Sequence, residues 1–153
     1  MNRLSLLLLL AFLSFSASFA QTNSEETAIK ASINLLFDGM RNADTSMIRK
    51  AFAAKNTMET IAKGKDGKYI VRSESSNDFI KSVGMPHPEK YDERIVCTKI
   101  LIDANLASVW TDYKFYLDDK FSHCGVNSFQ LFKGDEGWKI IYLIDTRRKE
   151  GCN

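Results

Sequence analysis

The chain is poor in the residues that build metal and nucleophile centres. Its 153 residues hold two histidines and three cysteines. No CxxC or HExxH spacing occurs among them, so no metal site and no cofactor is expected. His123 and Cys124 are sequence neighbours, and neighbours on a strand point to opposite faces, so they do not pair as base and nucleophile. His87 lies between the only two prolines, in a loop over residues 85–90, and reads as turn chemistry. Neither sign of charge is in excess. Lysine and arginine number 21 against 19 acidic residues, which argues against nucleic acid or an anionic membrane as the main partner. Linkers, repeats and low-complexity stretches are missing. Beyond the N-terminus, no apolar run approaches the roughly 20 residues that a membrane span needs.

The N-terminus itself is the apolar exception. Arg3 precedes a nearly continuous apolar run over residues 4–15, and Ser18 and Ala20 are small residues just before Gln21. This reads as a secretory signal peptide, residues 1–20, cut between Ala20 and Gln21. It predicts a periplasmic or secreted protein with no membrane attachment after cleavage. Residues 21–153 suit one domain with one core. Losing Arg3 with the leader leaves 20 basic against 19 acidic side chains.

Helical periodicity comes first in the domain. Ala28, Ile29, Ile33, Leu36, Phe37 and Met40 recur at spacings of three and four, with Glu25 and Glu26 in the first turn. After a turn at residues 42–44, Thr45 caps a second predicted helix with Met47, Ile48, Ala51 and Phe52 inward. Residues 57–63 and 68–74 flank a Gly-Lys-Asp-Gly turn and read as a hairpin. A short third helix follows over residues 76–84, closed by Gly84. From Tyr91 onward the chain is strand, broken by turns at residues 103–105, 118–120 and 134–137. Helices followed by an antiparallel meander indicate an α+β domain.

Symmetric pairing about each turn sets Cys97 opposite Thr111, Thr111 opposite Val126, and Val126 opposite Asp145. Directly opposed residues share a face. One face then carries Trp110, Asp112, His123, Gly125, Asn127, Phe129, Leu131, Trp138, Ile140, Tyr142, Ile144 and Thr146. The other carries Ile95, Leu101, Val109, Tyr113, Phe115, Val126, Phe132, Ile141, Leu143, Asp145 and Arg147. Both faces are apolar, so the one that helices do not cover predicts a partner subunit.

Two N-terminal helices, a hairpin, a short helix and a long meander closing in Gly137-Trp138-Lys139-Ile140 resemble the nuclear transport factor 2-like superfamily. The closest likeness is to its SnoaL-like and lumazine-binding bacterial types, over about residues 25–147. The resemblance implies a cone-shaped half-barrel. A curved antiparallel sheet would hold the N-terminal helices on its concave face and enclose an apolar pocket. It also implies a homodimer through the outer sheet face. Members range from isomerases, dehydratases and cyclases to domains without catalysis, so fold alone does not give function.

The Trp-bearing face is taken as the pocket face. There Asp112, beside Trp110, is the candidate general base, with Gly125 leaving room next to it. His123 would share the proton, and Asn127 or Tyr142 would donate to a developing oxyanion. Trp110, Asn127, Phe129, Trp138, Tyr142 and Thr146 are the candidate ligand contacts, and their aromatic character suits a small hydrophobic or heteroaromatic molecule. Asp112 paired with Lys114, and His123 at a solvated rim, would instead be structural. Asp145 and Arg147 share a face and read as an ion pair, with each other or across a dimer contact, the alternative being a clamp or base for a polar ligand. Asp118 and Asp119 fall in a turn, where Asp is favoured for backbone reasons.

Export favours disulfides. Cys97 and Cys124 lie two strands apart, beyond the reach of a bridge. Cys152 on the tail can fold back to Cys124; three free thiols, or a bridge between chains through Cys152, are the alternatives. The leading expectation is an exported small-ligand-binding domain. A cofactor-independent isomerase, dehydratase or cyclase using a pocket Asp is the first alternative, and a protein-interaction module with a filled pocket is the second.

Overall fold

Ile29, Ile33, Leu36, Phe37 and Met40 form one buried stripe along the first helix, and that stripe fixes where the helix lies on the sheet. In the computed structural model, the backbone is described for residues 3–152 and the side chains for residues 23–152. The expected leader and its cut between Ala20 and Gln21 lie outside the residues whose side chains are described. Among the described residues no helix is long and apolar enough to cross a membrane.

Helix α1 (Arg3–Asn42) ends where Ala43 turns into the left-handed region at φ 51. Asp44, one residue before the expected Thr45, caps α2 (Thr45–Ala51) by accepting from the backbone N–H groups of Ser46 and Met47 at 2.8 and 3.1 Å. The hairpin β1 (Phe52–Lys63) and β2 (Tyr69–Glu74) turns on Gly67, at φ 82. Ser75 caps α3 (Ser76–Gly84). The meander follows as β3 (Tyr91–Asp103), β4 (Leu106–Leu117), β5 (Lys120–Gly134) and β6 (Gly137–Thr146).

The six strands lie in the order β2-β1-β6-β5-β4-β3. The sheet is mixed rather than wholly antiparallel, because β1 runs parallel to β6, with Met58 beside Leu143 and Thr60 beside Asp145. Phe129, Leu131 and Ile140 are fully buried at the centre of the concave face, under Ile29, Ile33 and Leu36 of α1. Full burial of such side chains contributes about 1.5–3 kcal/mol each.

Three register shifts within the meander decide which of its residues face the helices. Thr98 is extra in β3, Ser122 in β5 and Ile141 in β6. Cys97 does pair with Thr111, but Thr111 pairs with Asn127, and Asn127 with Asp145. Val109, Thr111 and Tyr113 therefore point inward with His123, Asn127 and Phe129. Leu143 and Asp145 point inward at the far end of β6. Trp110 and Asp112 turn to the convex face, as do Tyr142, Ile144 and Thr146. Each bulge inserts one residue, and one residue swaps the faces of everything beyond it.

Beyond β6 the tail is pinned. Cys124 and Arg148 exchange two backbone hydrogen bonds of 2.9 Å, and Cys124 is bonded to Cys152, with Cα atoms 5.9 Å apart. Cys97 is a free thiol.

Candidate functional site

Between α1, α3 and the wide end of the concave sheet lies a partly open cavity of about 260 Å³. Its walls are apolar. Leu36, Phe37 and Met40 come from α1, Phe79 and Val83 from α3, and Met58, Tyr91, Phe115 and Leu143 from the sheet. These residues face inward because each sits on the concave parity of its strand or on the buried stripe of its helix.

The polar groups gather at the sheet side. Glu93 Oε1 accepts from Asn127 Nδ2 at 2.8 Å, and the same amide lies 3.4 Å from Thr111 Oγ1. Asp145 Oδ2 receives Arg147 Nε at 3.0 Å and lies 3.1 Å from the Tyr113 hydroxyl. That hydroxyl is 2.8 Å from the carbonyl oxygen of Thr146. His123 packs edge-on to Tyr113 and tilted against Phe115, with ring centroids 5.7 and 5.0 Å away. Its Nδ1 is 3.1 Å from Ser122 Oγ. Thr60 Oγ1, on the same wall, is buried and has no hydrogen-bond partner.

This packing changes the acid–base character of the cluster. Burial pushes the Glu93 carboxyl up to about 7; nearby Asp145 adds to the shift, while the Asn127 hydrogen bond and Arg147 oppose it. Burial, Asp145 and Glu93 drive the Tyr113 hydroxyl well above the usual tyrosine range. His123 is lowered by burial and by Arg147, with Asp145 acting against them. Burial alone would lower Arg147, but Asp145 outweighs it and raises the guanidinium. At neutral pH the cavity therefore holds a carboxyl near its midpoint, a neutral imidazole and a guanidinium–carboxylate pair. Such a set can hold a polar edge of a ligand or pass a proton to it.

Of the residues singled out from sequence, His123 and Asn127 line this cavity. Phe129 and Trp138 are core, 0 % and 4 % exposed, and are not part of the cavity wall. Trp138 donates its indole N–H to Glu25 at 2.8 Å. The other four lie outside. Asp112 and Trp110 are on the convex side, with Trp110 50 % exposed. Tyr142 donates to Glu59 at 2.6 Å on that side, and the Thr146 hydroxyl accepts from the Val126 amide at 3.2 Å. Asp145 and Arg147, read as an ion pair, are one, and they are part of the cavity wall.

Glu93 has no counterpart in the sequence expectations. A signal for it exists. Tyr91, Glu93, Ile95 and Cys97 alternate along β3, so a carboxylate occupies a position where its neighbours are apolar. A charge on the inward parity of a strand is an ionisable group turned toward the interior.

A family model described as "Putative lumazine-binding" matches residues 24–142. No curated protein matches the chain in sequence. Among solved structures, a nuclear transport factor 2-like protein of unknown function from Shewanella baltica is 19% identical. The match covers 83% of this chain and 96% of that one, at a TM-score of 0.65. A nuclear transport factor 2-like protein with a cystatin-like fold from Novosphingobium aromaticivorans is 7% identical, with 91% of each chain covered and a TM-score of 0.70. A similar protein of unknown function from Silicibacter pomeroyi is 12% identical, covers 83% of this chain and 98% of its own, and scores 0.66. At these identities the likeness shows the fold, a curved α+β half-barrel.

Proposed function

The chain belongs to the "Putative lumazine-binding" family within the nuclear transport factor 2-like superfamily, and from that premise we propose that it is an exported domain that holds a small molecule in the cavity under α1 and α3. The observation that carries this reading is the convergence of Glu93, Asn127, Asp145 and Arg147 on one side of an otherwise apolar cavity. Ligand sites combine apolar walls with a few placed polar groups in this way. The volume of about 260 Å³ suits a ligand of one or two rings. An open cavity of this size speaks against an interaction module whose pocket is filled by its own side chains.

Homodimerisation through the convex face belongs to the same reading. Leu101, Leu106, Trp110 and Phe132 are each about half exposed there, a concentration of apolar surface that a partner subunit would cover.

A second reading, cofactor-independent proton transfer, draws on one specific observation. The Glu93 carboxyl near 7 is poised as a general acid or base at neutral pH, and Asn127 beside it donates a hydrogen bond. In this reading Glu93 takes the part first expected of Asp112.

Native mass spectrometry on protein purified from the periplasm tests the binding reading. Gentle and denaturing spectra of one sample compare total mass. A small molecule that leaves on denaturation supports the reading. Failure to retain or take up any member of a broad set of one- and two-ring compounds counts against it.

A further inference from the structure

We propose that the cavity selects a small aromatic amine in its protonated form, an inference that rests on the ligand-binding reading and adds the charge its ligand carries. Three carboxylates face the space: Glu93 and Asp145 from the sheet, and Glu74 at the rim from β2. Arg147 is the one basic side chain of the lining, and its Nε is already held by Asp145 at 3.0 Å. His123 is held neutral by its surroundings and adds no positive charge. Glu59 also touches the cavity, but its oxygens accept from Tyr142 and Ser73. An anionic ligand would thus meet more carboxyl groups than cations, whereas an ammonium group would meet acceptors.

The remaining features fit the same chemistry. Phe37, Phe79, Tyr91 and Phe115 present rings to the cavity, and ring faces attract cations in a desolvated site. Thr60 Oγ1 is buried in the same wall without a partner, and a buried polar atom of this kind calls for a donor or acceptor from whatever fills the space. A dry cavity of about 150 Å³ accepts a benzene ring. About 260 Å³ therefore leaves room for one ring and a short aminoalkyl arm.

The groups that face Glu93 are Tyr113 on β4, His123 and Asn127 on β5, Asp145 and Arg147 at the end of β6, and Glu74 on β2. The parts of α1 and α3 that reach the cavity supply no ionisable side chain. An ammonium arriving among them favours the ionised form of Glu93, so binding below about pH 7 expels a proton into solvent.

Isothermal titration calorimetry with 2-phenylethylamine, 2-phenylethanol and phenylacetate separates the three charges on one ring and chain. The folded, disulfide-bonded protein is titrated at pH 6 and pH 8 in buffers of differing ionisation enthalpy. The amine is expected to bind at least about tenfold tighter than the alcohol, with phenylacetate weakest and with proton release at pH 6 that vanishes at pH 8. Glu93→Gln is expected to cut amine affinity by about fivefold or more and alcohol affinity by less, so that the preference for the amine over the alcohol narrows. Equal or tighter binding of the alcohol or of phenylacetate overturns the charge assignment but leaves the small-molecule cavity standing. Absence of heat from all three at millimolar concentration overturns the amine proposal, and the native mass spectra then decide separately whether the cavity binds anything.

Discussion

Replacing Gly125 by alanine should unfasten the end of β6. A methyl carbon on Gly125 would lie 2.7 Å from Cε1 of Tyr113 and 2.8 Å from the carbonyl carbon of Thr146, and inside contact distance of that carbonyl's oxygen. Backbone cannot rotate aside as a side chain can, so β6 must shift outward. The shift separates Thr146 from the Tyr113 hydroxyl that now sits 2.8 Å away, and draws Asp145 from the same hydroxyl at 3.1 Å. A lost intramolecular hydrogen bond costs about 1 kcal/mol, and forced overpacking costs about 1–3 kcal/mol. The expected loss is therefore about 2–4 kcal/mol, read as a lower urea midpoint at unchanged slope. Ligand affinity should fall as well, because Asp145 and Arg147 move with the strand. Gly137 supplies the control. It sits at φ 83 with nothing within 4 Å of an added carbon, so Gly137→Ala meets only backbone strain, about 1–2 kcal/mol. If Gly125→Ala costs no more than Gly137→Ala, the close approach of Thr146 does not constrain β6.

Reduction, or Cys152→Ser, should lower stability by at most about 3–4 kcal/mol, the loop-entropy ceiling for a bridge across 28 residues; paired urea melts with and without reductant measure it. Glu93 makes stability fall as pH rises. Its folded-state carboxyl titrates near 7 and its unfolded one near the ordinary glutamate value, so the native state holds the extra proton between them. The stabilisation is complete below the unfolded value and is lost by about pH 7. That loss amounts to about 3 kcal/mol at most. His123, whose pKa is lowered, works in the opposite sense below its ordinary value, so the difference between wild type and Glu93→Gln across pH 4.5–8 isolates the carboxyl; parallel profiles would refute it. The homodimer proposed through the convex face should be lost in Trp110→Asp, read by sedimentation velocity, with little change in melting temperature, since that ring is 50 % exposed in the single chain.

The helices and strand order of the meander were legible because periodicity and turn residues are local signals. Ile29, Ile33 and Leu36 announce their buried stripe, and Asp103, Asp118 and Gly134 mark the turns. Along β6 the face assignment held from the last turn as far as the bulge, whereas between β3 and β4 the expected Cys97–Thr111 pairing held beyond the bulge at Thr98. Trp138 and Ile140 were placed inward correctly, being next to the turn, but Ile141 shifts the register and Tyr142 and Thr146 emerge on the convex side. Likewise Ser122 moves Asp112 and Trp110 out of the pocket. A non-glycine bulge leaves no compositional mark, because its cause is the curvature of the whole sheet. The parallel β1–β6 pairing was equally hidden: it joins segments about 85 residues apart, and no nearby turn specifies it. The acid cluster depended on these same bulges, since Glu93, Asn127 and Asp145 meet only in the shifted register.

The position of β1 also governs when the molecule can fold. Its parallel neighbour is the last strand of the sheet to be synthesised, with Phe52 against Ile140 and Ile61 against Thr146. No nascent chain lacking its C-terminal strand can close the sheet, so α1, α2 and the first hairpin must wait for it. Pairings this distant in sequence also form slowly. A precursor bound for export through a narrow translocation channel has to remain unstructured until it arrives. If the chain is exported as proposed, this strand order supplies that delay by topology.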